Sequence, residues 1–92
     1  MTLLSDSEIE ARLAELPGWR REGEAIVKAF DRGDFVGSVL LVESIVEPAE
    51  AMGHHPDLAI SWSEVKVTIS THSEGGLTAA DFALATKIDA LA

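Results

Sequence analysis

The stretch "DLAISWSEVKVTIST", residues 57–71, decides the fold. Leu58, Ile60 and Trp62 alternate along its first half, and Val65, Val67, Ile69 and Thr71 alternate along its second. An apolar period of two, with polar residues between, is the pattern of strands that bury one face. The two halves predict a hairpin turning at Ser63-Glu64, with Trp62 and the distant Trp19 as core aromatics. A second pair upstream, Trp19 to Glu22 and Ala25 to Phe30 around Gly23, reads as another hairpin.

Helical signals surround the hairpins. In "SDSEIEARLAEL", residues 5–16, Ser5 and Glu8 have the spacing of a capping box, and Ile9, Leu13 and Leu16 share a face until Pro17-Gly18 ends it. From Asp34 onward Phe35, Val39, Val42 and Val46 recur at helical spacing, and Leu41 and Ile45 widen the stripe. Val36 and Leu40 lie among Glu43 and Glu47, so this helix is apolar over more of its circumference than one sheet covers. A second packing surface, and hence oligomerisation, is expected. Pro48 lies in the same segment and predicts a kink or a restart. Thr78 and Asp81 form a further capping box, Leu77 can pack on Phe82, and Leu84, Ile88 and Leu91 continue that helix's face. The order α-β-β-α-β-β-α predicts an α+β fold in two layers, a four-stranded antiparallel sheet with helices packed on one face, as one domain over residues 1–92.

Composition excludes several functions. Seven basic residues against sixteen acidic ones leave a net charge of −9, which repels phosphate backbones, so no direct nucleic-acid partner is expected. Without cysteine there is no disulfide, thiolate ligand or thiol nucleophile, and chemistry falls to histidine, carboxylates and hydroxyls. No apolar run reaches the roughly 18 residues of a membrane span, and Met1 to Glu8 carry no secretory signal, so a cytoplasmic protein without a membrane partner is expected.

Two of the three histidines, His54 and His55, stand together before Pro56. Glu50 and His54 are four apart, so a helix running through Gly53 would put them on one face, with Glu50 and the helix C-terminus both favouring an imidazolium at His54. Pro56 biases His55 toward an extended backbone, so the two rings diverge and can line two sides of one pocket. His72 follows the second strand on the parity opposite its apolar residues, before Gly75-Gly76 and Asp81. Plainer roles exist for each: a helix-end cap for His54, a capping-box acid for Asp81, a simple turn for the glycines. Zinc held by Glu50, His54, His72 and Asp81 is chemically possible, but the spacing matches no compact ligand motif, and no metal is expected.

The string Glu50-Ala-Met-Gly-His54-His55-Pro56, then Trp62, Ser70-Thr71-His72 and Gly75-Gly76-Leu77-Thr78-Ala79-Ala80-Asp81, resembles the signature of the pterin-4a-carbinolamine dehydratases. Gly18-Trp19, Phe30, Phe35 and the closing "FALATKIDAL" extend the resemblance over nearly the whole chain. It implies dehydration of a 4a-hydroxytetrahydropterin to the quinonoid dihydropterin, without metal or organic cofactor, in recycling the tetrahydropterin of aromatic amino acid hydroxylases. It also implies a homodimer or homotetramer built through the long helix. His54, His55 and His72 would surround the pterin, His54 and His72 as acid/base groups and His55 as a binding or proton-accepting partner. Glu50 would orient His54, Asp81 would support His72 or its loop, and Pro56 and Trp62 would shape the pocket. Leu58 and Trp62 stand where many members have tryptophan and tyrosine, so the pocket's aromatic wall would differ. The competing reading is a non-catalytic binding module: a pterin-binding or assembly factor, or a dimerisation partner of a regulatory protein.

Overall fold

The computed structural model describes residues 2–92. Helix α1 (Asp6–Leu13) precedes strands β1 (Arg20–Glu22) and β2 (Ala25–Asp31), helix α2 (Phe35–Met52), strands β3 (Asp57–Ser61) and β4 (Glu64–Ile69), and helix α3 (Ala79–Leu91). The four strands pair antiparallel in the order β1-β2-β4-β3, which leaves one edge of β3 without a strand neighbour. This is the α+β arrangement the sequence predicts. Ile26, Phe30, Val65, Val67 and Ile69 face one way, and Ile9, Leu41, Ile45, Leu84 and Ile88 from the three helices close over them.

Local chemistry explains the helix starts. The Ser5 hydroxyl accepts from the Glu8 N–H while the Glu8 carboxylate accepts from the Ser5 N–H, closing the expected capping box. Those bonds, with Arg12 one turn on adding less, hold the Glu8 carboxyl below its ordinary range. Asp34 caps α2 by accepting from the Gly37 N–H at 2.7 Å.

Several expectations change. The hairpin turns at Trp62-Ser63, one residue earlier than predicted, because Ser61 pairs with Glu64. Trp62 therefore takes a positive φ of 51° and lies 72% exposed at the tip, outside the core, whereas Trp19 is buried as expected. A bulky residue at positive φ costs on the order of 1 kcal/mol. The buried Ser38 hydroxyl, 2.7 Å from the Trp62 carbonyl, ties that strained turn to the start of α2. The buried stripe of α2 is Ser38, Leu41, Ile45 and Ala49, while Phe35 and Val46 face outward with Val36 and Leu40. Helical spacing allows either stripe, and the sheet selects the one that includes small residues able to approach it closely. Of the kink or restart expected at Pro48, the restart does not occur: α2 is one helix from Phe35 to Met52. On α3, Leu84 and Ile88 are buried but Leu91 is 41% exposed, because the helix has by then run past the core.

Candidate active site

Gly53 shapes the end of α2. Its φ of 61° is left-handed backbone that favours glycine, and it lets the Gly53 and His54 N–H groups close back on the carbonyls of the last turn. His54 thus leaves the helical surface, and the predicted pairing with Glu50 does not form. Glu50 instead bonds the neighbouring ring, its carboxylate meeting His55 Nε2 in an exposed pair. His54 turns inward, and its Nε2 lies 2.6 Å from Asp81 Oδ1. The two rings diverge as expected, but Glu50, expected at His54, serves His55, and His54 takes Asp81.

Asp81 has no exposed surface. Its Oδ2 accepts from the Thr78 N–H and from the Thr71 hydroxyl, each at 2.8 Å, and its Oδ1 faces His54. One residue therefore starts α3 and holds a histidine at the end of α2. Of the roles expected for Asp81, it caps α3 and, through Thr71, holds the base of the His72 loop, but the ring it meets is that of His54 and not that of His72. Burying a carboxylate costs several kcal/mol unless donors surround it, and here donors come from three elements of chain.

His72 opens a short 3-10 turn, His72–Glu74, whose ends are pinned by the Thr71–Gly76 bridge, with Gly75 left-handed at φ 70°. Its ring is exposed, and its Nε2 lies 3.4 Å from the Ser70 hydroxyl. Asp57 pairs with Thr68, so the residues just before β3 run beside those just after β4. His54, His55 and His72 are thereby brought to the same end of the sheet. Trp62 sits at the far end of β3, away from them within one chain. Pro56 and His55 border an apolar groove of about 190 Å³ between α2 and β3, with Val42, Val46, Ala49, Glu50 and Leu58 in its walls. Among the described residues no group of three or more histidine and acidic side chains is placed to hold a metal ion. No described helix is long and apolar enough to cross a membrane.

Sequence reasoning missed Thr71 and saw Thr78 only as a cap. The available signal was a hydroxyl on the buried parity of β4, one residue before a histidine and ten before a capping-box aspartate.

The fold and site define a small α+β protein with a histidine-carboxylate cluster where the ends of α2 and β4 meet the starts of β3 and α3. The chain belongs to the family described as pterin 4 alpha carbinolamine dehydratase, whose profile matches residues 2–91. A protein of Thermosynechococcus vestitus, provisionally named a pterin-4-alpha-carbinolamine dehydratase, is 49% identical over 97% of this chain and 94% of its own. The crystal structure of a "transcriptional coactivator/pterin dehydratase" from Brucella melitensis superposes with a TM-score of 0.95 at 34% identity, covering 99% of each chain. A pterin dehydratase-like protein described as a RuBisCO assembly factor in the alpha-carboxysome shares the fold, with a TM-score of 0.63 at 22% identity over 79% of this chain and 84% of that one.

The two carboxylate-histidine pairs differ in what they hold together. Asp81→Ala is expected to cost about 3–5 kcal/mol by stranding the His54 end of a buried pair and opening the α3 cap. Glu50→Ala, at a 68% exposed side chain, is expected to cost less than about 1 kcal/mol. Urea unfolding of the two variants beside the wild type checks both, and equal midpoints for the two would refute the contrast.

Proposed function

We propose that this chain dehydrates a 4a-hydroxytetrahydropterin to the quinonoid dihydropterin and water, regenerating a cofactor for aromatic amino acid hydroxylases. The observation that carries this reading is the pairing of an anchored histidine, His54 on buried Asp81, with two exposed histidines at the same end of the sheet. The reaction breaks the C4a–O bond and forms a C4a–N5 double bond. One proton goes to the departing hydroxyl, which leaves as water, and one proton comes off N5, so the protein gains and loses none overall. Imidazoles exchange protons near neutral pH and serve both transfers. His54 and His72 are assigned to acid/base work. His55, held by Glu50 at the rim of the apolar groove, is assigned to binding or to accepting a proton. Leu58 and Pro56 supply apolar contact beside it, while Trp62, at the far end of β3, takes no role toward the pterin of its own chain.

The test follows the ultraviolet decay of 4a-hydroxytetrahydropterin made in situ by a phenylalanine hydroxylase. The wild type is expected to accelerate it, and His54→Gln and His72→Ala each to lower kcat by about 10²- to 10⁴-fold. No acceleration anywhere from about pH 6 to pH 8 would overturn the reading in favour of a binding module.

Self-association belongs to the same proposal. Phe35, Val36, Leu40 and Val46 on α2 are each more than half exposed, and the band continues into the groove beside the unpaired edge of β3. An apolar helix face next to an open strand edge fits a second copy of this chain, since both features can be buried symmetrically in a homodimer or homotetramer. Sedimentation equilibrium is expected to show such an oligomer, and Leu40→Glu to shift it toward monomer. A wild type that stays monomeric at about 100 μM, far above the Kd of a stable assembly, would rule the second copy out.

A further inference from the structure

The dehydration chemistry assigns nothing to the hydroxyl of Thr71, although that side chain is buried and touches the carboxylate that holds His54. Its environment fixes the direction of every hydrogen bond around it. Thr71 has one hydroxyl proton, and its Oγ1 donates that proton to Asp81 Oδ2 at 2.8 Å. The contact between Thr71 Oγ1 and Thr78 Oγ1, at 2.9 Å, must then carry the proton of Thr78. The Thr78 oxygen in turn accepts from backbone N–H groups at the start of α3, among them that of Ala80 at 3.3 Å. Protons thus point one way, from the first amides of α3 through Thr78 and Thr71 onto Asp81. Oδ2 is filled by Thr71 and by the Thr78 N–H, which leaves Oδ1 as the acceptor turned toward His54.

We infer that Thr71 is a positioning residue: its hydroxyl holds the Asp81 carboxylate so that His54 keeps a proton on Nε2 and exchanges protons with a ligand through Nδ1. Held at Oδ2 by the Thr78 N–H alone, the carboxylate has more room to swing, accepts less well from the edge of the ring and specifies the tautomer less firmly. Thr71 also sits one residue before His72 and, with Gly76, closes the turn that carries it. One side chain therefore fixes the orientation of His54 and the base of the loop that presents His72. This role deepens the dehydratase reading and rests on it only where activity is measured.

The test compares Thr71→Val, which keeps the shape and removes the donor, with Thr71→Ser, which keeps the donor. Two-bond ¹⁵N–¹H spectra of the three histidine rings, taken near pH 8.5 where ordinary imidazoles are neutral, report the tautomer without any substrate. Wild type and Thr71→Ser are expected to hold the His54 proton on Nε2, and Thr71→Val to show a mixture of tautomers. In the dehydration assay Thr71→Val is expected to lose about 10-fold in kcat with KM within about twofold, and Thr71→Ser to recover it. A folded Thr71→Val with the wild-type tautomer and kcat overturns the inference. So does a wild type whose His54 proton sits on Nδ1, which decides the matter even if Thr71→Val fails to fold. If the wild type lacks dehydratase activity but the spectra behave as expected, the dehydratase reading fails and the positioning role stands.

Discussion

A carboxylate with no exposed surface is the constraint around which this end of the molecule is built. Asp81 can be buried only if donors replace the water it loses, and they come from separate parts of the chain: the ring of His54 after α2, the hydroxyl of Thr71 after β4, and the N–H of Thr78 at the start of α3. Removing any of them leaves an underbonded charge in a dry place. The same geometry that satisfies Asp81 therefore locks α2, β4 and α3 together at one corner and orients a histidine there. Stability and site preparation arise from one set of hydrogen bonds.

His55 and His72 stand in contrast. The pair His55–Glu50 is exposed on both sides, and among the described residues the His72 ring has one long contact, to Ser70. Exposed pairs of this kind add little to stability, so these rings are free to reorient toward a ligand at small cost. A site that holds one imidazole fixed and leaves two adaptable suits a reaction in which a proton must be delivered at one atom of a substrate and removed at another. Positioning by a buried carboxylate sets the tautomer of the fixed ring, which chain spacing does not encode.

The strands, the helix caps and the α+β order were legible in the sequence because each rests on local chemistry: alternation in "VKVTIST", and the Ser5–Glu8 and Thr78–Asp81 spacings. What was not legible depended on geometry between elements. Helical spacing in α2 permits two apolar stripes, and only contact with the sheet selects Leu41 and Ile45 over Phe35 and Val46. Glu50 and His54 were expected to share a face, but the left-handed turn at Gly53 moves the histidine off the helix and gives Glu50 to His55. The alternation that made Trp62 look buried stops one residue short, because the turn itself claims that position. The three histidines and Asp81 could be picked out as a group; which carboxylate served which ring could not, since that was decided by a single backbone dihedral.

The claim that Asp81 prepares His54 for proton transfer is tested most directly by Asp81→Asn, which keeps the side-chain shape but replaces a pure acceptor with an amide. With folding verified by circular dichroism, the dehydration rate of a 4a-hydroxytetrahydropterin is expected to fall by roughly 10²-fold or more in kcat. A folded Asp81→Asn protein that turns over at the wild-type rate would contradict the account, because the buried carboxylate would then serve the fold alone.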